Sequence, residues 1–170
     1  MRPRSQRARR RGAGGPERGA ALVEFALVVP IFILLVMGII DFGMAFNDYN
    51  SVRQGVREGA RQIVVADWAT DGCTTGTSSE RAACVTRARI GLATADTKVK
   101  IVLPTAYQPG DQVKVCAMYP VRSLTGVFSP LLEGKAAKSK LSMRIEQIDG
   151  DHPLTAYQDT LPSGQSWSWC

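Results

Sequence analysis

The sequence is poor in the residues that build metal and catalytic sites. It has one histidine, His152, in 170 residues, and none of its four cysteines belongs to a C-x-x-C pair. It also lacks the G-x-S-x-G elbow of serine hydrolases and the glycine-rich lysine loop that holds nucleotide phosphates. Asp149 and Asp151 beside His152 can gather a cation weakly, but a polar turn is the simpler explanation. We therefore expect no metal, no cofactor and no enzymatic activity.

Charge is almost absent from residues 20–40, where Glu24 is the only ionisable side chain in 21 residues. A helix of about 20 residues, rising about 1.5 Å per residue, spans a hydrocarbon core of roughly 30 Å. We predict one transmembrane helix here. The alternative is a secretory signal cut after "GMA" (43–45). An apolar run longer than the usual 7 to 15 residues, with an acid near its start, favours a retained helix.

The positive charge of the chain lies before this run. Residues 1–19 hold seven arginines and one acid, which leaves fourteen basic and fourteen acidic residues after them. An arginine-rich flank is retained in the cytoplasm, so residues 1–19 are predicted to be a cytoplasmic leader and residues 42–170 to be extracytoplasmic. The basic block has no interleaved aromatic residues, and we expect no nucleic-acid partner.

The cysteines agree with export, because all four follow the apolar run and disulfides persist outside the cytoplasm. Four cysteines allow three connectivities. We favour Cys73 with Cys84, closing a loop rich in Gly, Thr and Ser, and Cys116 with Cys170, tying down the C-terminus. A buried free thiol at Cys116 is the alternative.

An apolar stripe continues past the end of the apolar run at steps of three and four residues. It predicts one helix over residues 20–66, transmembrane at 20–40 and amphipathic at 41–66. Its members are Leu35, Ile39, Phe42, Phe46, Tyr49, Arg53, Val56, Ala60 and Ile63, whereas Asp48, Arg57, Glu58 and Gln62 are expected to face water. Gly55, Gly59 and Ala60 form a small-residue patch. We assign it to a contact with the protein's own sheet rather than with another subunit.

Residues 67–148 are predicted to form a small α+β domain. Residues 97–104 and 111–121 indicate a hairpin, residues 140–147 a third strand, and residues 78–93 a short helix with Ser79 as its N-cap. Residues 123–134 indicate a turn-rich connection. The tail, residues 149–170, is expected to be irregular, with Trp167 and Trp169 either docked on the domain or facing a partner. The predicted fold class is α+β, a long N-terminal transmembrane helix whose amphipathic half packs on a small antiparallel sheet.

Four segments carry a resemblance to a known family: "RGAALVEFALVVPIFILLVMGIIDFG" (18–43), "VREGARQ" (56–62) and, more weakly, "VCAMYPV" (115–121) and "SMRIEQ" (142–147). They resemble the TadE-like family, minor pilins or pseudopilins of the tight-adherence (Flp) pilus assembly system. The resemblance implies a pilin-like fold and a membrane aspartyl prepilin peptidase that cuts after a Gly. It also implies a Glu at the fifth mature position.

The register of this chain fits that implication. If Gly19 ends the leader, Ala20 becomes the first mature residue and Glu24 the fifth. A carboxylate in the membrane costs on the order of 3 kcal/mol, which a partner can offset. The resemblance implies that Glu24 docks onto the new α-ammonium of a neighbouring subunit. The alternative is that Glu24 reaches the headgroup region and has no further role.

The resemblance also implies partners and location. The partners are the membrane, the prepilin peptidase, other pilin-like subunits and the pilus assembly platform. The location is the inner membrane, or the cell surface if the protein enters a pilus. The alternative function is an uncleaved membrane anchor that carries an extracytoplasmic binding or sensor domain.

Overall fold

A computed structural model of the chain describes residues 17–67, 72–103, 107–148, 150 and 153–170. The chain divides into two compact units, Met1–Ile39 and Ile40–Cys170, and we call the second the C-terminal unit. The fold is α+β, as predicted, with a long N-terminal helix followed by a small antiparallel sheet. The elements are α1 (Glu17–Val64), α2 (Ser78–Ile90), β1 (Lys98–Val102), β2 (Gln112–Pro120), α3 (Ser129–Leu132), β3 (Ala136–Arg144) and β4 (Tyr157–Gln158).

The sheet has four antiparallel strands in the order β3-β2-β1-β4. The predicted hairpin is formed by β1 and β2, and the predicted third strand is β3. The fourth strand corrects the expectation that residues 149–170 are irregular, because β4 pairs with β1 at Ile101. A strand of two residues is too short to show an alternating pattern in a sequence.

The central strand β2 is buried on both faces of the sheet. Val113, Val115 and Ala117 belong to the main core with the helices. Cys116 and Met118 point to the opposite face and form a second cluster with Trp167. Side chains of a strand alternate between faces, so burial on both sides requires a second layer over β2. The C-terminal segment supplies that layer, so Trp167 docks on the domain.

The buried side of α1 differs from the predicted stripe. The prediction holds for Val56, Ala60 and Ile63, which lie in the main core with Val52. It is wrong for four aromatic and basic positions nearer the apolar run, which are exposed: Phe42, Phe46, Tyr49 and Arg53. In this part of the helix the buried side chain is that of Asp41, the residue before Phe42. Apolar periodicity identifies a face but does not show whether the domain's own core or another molecule covers it.

Two side chains that were expected to face water are also covered. Gln62 is buried, because it lies three residues after Gly59 on the side of α1 that α2 covers. Asp48 is half-buried, and burial raises the pKa of its carboxyl.

The small-residue patch of α1 is the crossing point with α2 rather than a contact with the sheet. A Cβ added at Gly55 would lie 2.4 Å from Cα of Ile90, and one added at Gly59 would lie 2.6 Å from Oγ1 and 3.0 Å from Cα of Thr86. Gly55 and Gly59, like Thr86 and Ile90, are four residues apart. Each pair therefore lies on one face of its helix, and the missing side chains let the two backbones meet.

The N-cap of helix α2 lies two residues before the predicted cap, Ser79. Its N-cap is Thr77, whose hydroxyl accepts a hydrogen bond from the backbone N–H of Glu80 while the Glu80 carboxylate accepts one from the backbone N–H of Thr77. Ser79 lies inside the helix, and its hydroxyl is bonded to Thr155. Both residue types cap helices, but only Thr77 has a Glu three positions later to complete a capping box.

Candidate functional site

The predicted processing site lies at the start of α1. The helix begins at Glu17, so the peptide bond between Gly19 and Ala20 is in its first turn. Gly19, Ala20 and Glu24 are exposed, and a Cβ built on Gly19 would meet nothing within 4 Å. Ala20 and Glu24 are four residues apart and share one helix face. A new amino group at Ala20 would therefore lie one turn from the exposed Glu24 carboxylate.

The part of α1 that follows is apolar and unburied. In the described residues, one helix is long and apolar enough to cross a membrane, with a mean hydropathy of 2.8 over its most apolar 18 residues, none of them buried. The helix continues through Pro30. An exposed apolar surface of this length fits a membrane anchor.

The apolar run ends at a buried carboxylate that the sequence analysis did not single out. Asp41 is 0% exposed. It accepts hydrogen bonds from the hydroxyls of Ser123 and Thr125 at 2.6 and 2.7 Å, and from the backbone N–H groups of Leu124 and Thr125, both at 2.9 Å. Burial alone would raise the pKa of this carboxyl, but the four hydrogen bonds lower it from 3.8 to about 2. The ionised carboxylate therefore ties the loop between β2 and α3 to the helix.

Comparison with known families assigns the segment that holds these features. Residues 19–61 match the family model described as TadE-like protein. This segment of the chain is similar to the TadE-like family. The resemblance noted from the sequence is thereby confirmed over the helix, from the proposed cleavage site to the turn of α1 that follows the crossing with α2.

No curated protein and no solved structure matches the chain significantly. The TadE-like segment fits a membrane protein associated with pilus assembly. The residues beyond 61 lie outside that match.

The four cysteines form two disulfides, both in the C-terminal unit. Cys73 is bonded to Cys84, and Cys116 to Cys170, which is the pairing favoured from the sequence. The first bond joins α2 to the segment before it. The second joins the central strand β2 to the last residue of the chain, which holds the Trp167 layer against the sheet.

An ion pair fastens the other side of the C-terminal segment. The Arg87 guanidinium donates to both oxygens of Asp159, at 2.6 and 2.5 Å, and to the Tyr157 hydroxyl at 3.0 Å. Tyr157 and the backbone N–H of Val99 also donate to Asp159, each at 2.7 Å. Burial alone would raise the pKa of Asp159, but these hydrogen bonds, with that from Arg87 the strongest, keep it below its ordinary value. The group joins α2, β1 and β4.

The structure does not describe the residues that the sequence offered for cation binding. Asp149, Asp151 and His152 lie outside the described residues. Within the ranges that the structure covers, no group of three or more His, Cys, Asp or Glu side chains is placed to hold a metal ion.

Sequence reasoning missed Asp41 and the pair of Arg87 and Asp159. The sequence did contain a sign of the Asp41 site, because an acid follows the apolar run and the charge-free segment 123–129 includes hydroxyl residues. The ion pair joins residues 72 positions apart, and a single sequence gives no sign of such a partner.

Proposed function

We propose that this chain is a non-enzymatic structural subunit, a pseudopilin that takes part in Flp (tight-adherence) pilus assembly. In this proposal a prepilin peptidase cuts between Gly19 and Ala20. The apolar part of α1 then anchors the mature chain in the inner membrane with residues 42–170 outside. The observation that carries the proposal is the start of the TadE-like match at residue 19, the last residue of the proposed leader.

The position of Glu24 supports a docking role. Cleavage would create an α-ammonium at Ala20 and leave the Glu24 carboxylate one helix turn away. Both groups are exposed on an apolar helix, where an unpaired charge is costly. Pairing between subunits satisfies both groups and fixes the stagger of one helix against the next. The partners of the chain are then pilin-like subunits and the assembly platform.

The C-terminal unit supports a structural rather than a catalytic role. Two disulfides, the ion pair of Arg87 and Asp159, and the anchored loop at Asp41 brace a small fold at four places. Small exported domains commonly need such bracing because their cores are small. A rigid domain carried on a helix that mediates assembly is suited to be a pilus component.

The experiment is an assembly assay in the native host. Glu24→Leu removes the carboxylate, and the matched variant Glu24→Asp retains it. A third variant replaces residues 20–40 with an unrelated apolar span of equal length. Immunoblotting of membranes establishes that each protein is present, and sheared surface fractions report pili.

The proposal expects pili to be lost with Glu24→Leu and with the replaced span, and to be retained at least in part with Glu24→Asp. Full piliation and function with the replaced span would contradict it. That result would favour an uncleaved anchor carrying a binding or sensor domain.

A further inference from the structure

We propose that the loop between β2 and β3 inserts its apolar side chains into the membrane surface next to the helix, so that the protein contacts the bilayer at two places. The bilayer interface is the partner. The proposal rests on the membrane crossing of α1 but not on peptidase processing or on a role in pili.

Composition first sets this loop apart. Residues 123–132, "SLTGVFSPLL", contain no charged side chain, and Arg122 and Glu133 flank them. Three of the apolar side chains face outwards, Leu124 at 70%, Val127 at 42% and Leu131 at 61% exposure. A charge-free loop with outward-facing apolar side chains suits the boundary between headgroups and acyl chains.

The anchoring of the loop then sets its height. Ser123, Leu124 and Thr125 all donate hydrogen bonds to Asp41, the residue that directly follows the apolar run. The rings of Phe42 and Phe128 add a contact, with centroids 5.6 Å apart. The headgroup region is roughly 5 to 8 Å thick on each side of the bilayer. A loop bonded to the first residue beyond the apolar run therefore lies within that region.

Backbone N–H groups of the loop are already hydrogen-bonded within the protein, as a less aqueous environment requires. Asp41 accepts two of its N–H groups, and the Ser123 and Thr125 hydroxyls accept those of Gly126 and Val127. Pro130 has no N–H, and the backbone N–H groups of residues 129, 131, 132 and 133 are bonded within the turn and α3. Satisfied backbone donors lower the cost of leaving water.

The opposite end of the C-terminal unit offers a matched control. Ile148 is 42% exposed, the same as Val127. It follows Glu146 and Gln147, whose N–H groups donate to the Val64 carbonyl oxygen at 2.9 Å. Val64 is 23 residues beyond Asp41, about 35 Å along the helix. The two side chains have equal exposure and very different expected heights above the membrane.

The test uses the full-length protein in lipid nanodiscs at one chain per disc. All four natural cysteines are paired, so a single introduced cysteine can be labelled with a nitroxide. The variants are Leu124→Cys, Val127→Cys and Leu131→Cys for the loop, Ile148→Cys as the control and Ile33→Cys within the apolar run. Power-saturation EPR compares collision with oxygen, which concentrates in lipid, and with a water-soluble nickel chelate. Three loop positions keep the test valid if one variant misfolds.

The proposal expects the loop labels to favour oxygen over nickel, as the label at position 33 does, whereas the label at position 148 favours nickel. Loop labels that behave like the label at position 148 would overturn it. Loop labels shielded from both reagents would also overturn it, because a protein surface would then cover the loop. A water-exposed label at position 33 would refute the membrane crossing itself. The assay contains no pilus components, so a failed role in assembly leaves its outcome unchanged.

Discussion

The Asp41 carboxylate holds Thr125 through two of its groups, the backbone N–H at 2.9 Å and the hydroxyl at 2.7 Å. The two residues are 84 positions apart in the chain. Their contact fixes the loop after β2 to the helix at the point where the apolar run ends. The TadE-like segment and the part of the chain beyond it are thereby joined by a buried charge.

Asp41→Asn should lower thermal stability in a pH-dependent way. The pKa of Asp41 is lowered from 3.8 to about 2, so the ionised carboxylate contributes its full stabilisation above 3.8 and loses it as the pH falls through about 2. We expect the difference in Tm between wild type and Asp41→Asn to be constant near neutral pH, to shrink below about pH 3.8 and to be smallest below about pH 2. Differential scanning fluorimetry in detergent at a series of pH values measures it. A difference that does not depend on pH would contradict the assignment.

Gly59→Ala should destabilise the C-terminal unit even though alanine favours helix. The new Cβ would lie 3.0 Å from Cα of Thr86, and a backbone atom cannot move aside cheaply. Overpacking of this kind costs about 1 to 3 kcal/mol, against a gain of up to about 1 kcal/mol in helix propensity. Gly43→Ala, on the same helix with nothing within 4 Å, is the control and should be neutral or slightly stabilising. Urea unfolding measures the free energy of unfolding of both variants. Equal values would argue against the helix crossing.

Asp159→Ala should cost about 3 kcal/mol, because it leaves the partly buried Arg87 guanidinium without its carboxylate partner. A loss of this size lowers the Tm of a unit this large by roughly 10 °C. The control is Glu58→Ala, which removes an acid from an exposed pair with Arg61 at 3.9 Å and should change little. Comparable losses of stability in the two variants would show that the partly buried pair contributes no more than the exposed one.

The longer disulfide should stabilise the fold more than the shorter one. The bonds close loops with sequence separations of 54 and 11 residues. The chain-entropy model gives about 4 kcal/mol for Cys116 with Cys170 and about 3 kcal/mol for Cys73 with Cys84. Paired Cys→Ala variants of each bond, unfolded under non-reducing conditions, measure both values. A reversed order would mean that the C-terminal layer is held mainly by its packing around Trp167.

Much of the fold follows from local patterns in the sequence. The apolar run predicts the long helix, and the alternation of Leu141 and Met143 with polar residues predicts β3. The two-residue strand β4 could not be predicted, because a long-range contact between residues with weak local signals creates it. The docking of Trp167 on the domain was one of two alternatives that the sequence left open. The stripe of α1 failed at Phe42 and Phe46, since periodicity cannot tell a core from an exposed apolar face.

The residues of the candidate site likewise include some that the sequence could identify and some that it could not. Gly19, Ala20 and Glu24 could be named from their spacing and family resemblance, and the TadE-like match covers all three. Asp41 depends on a loop 82 to 84 residues away, and Arg87 depends on Asp159. Such partners follow from the tertiary fold, which brings together residues that have no local relationship.

The most direct test of the account is the mature N-terminus of the protein from its native membrane, with and without the prepilin peptidase. Intact mass and N-terminal sequencing measure it, and Gly19→Leu provides a variant whose cleavage site is blocked. The account predicts a chain that starts at Ala20 only when the peptidase is present and Gly19 is intact. A chain that still starts at Met1 with the peptidase present would contradict it and would make the protein an anchored domain.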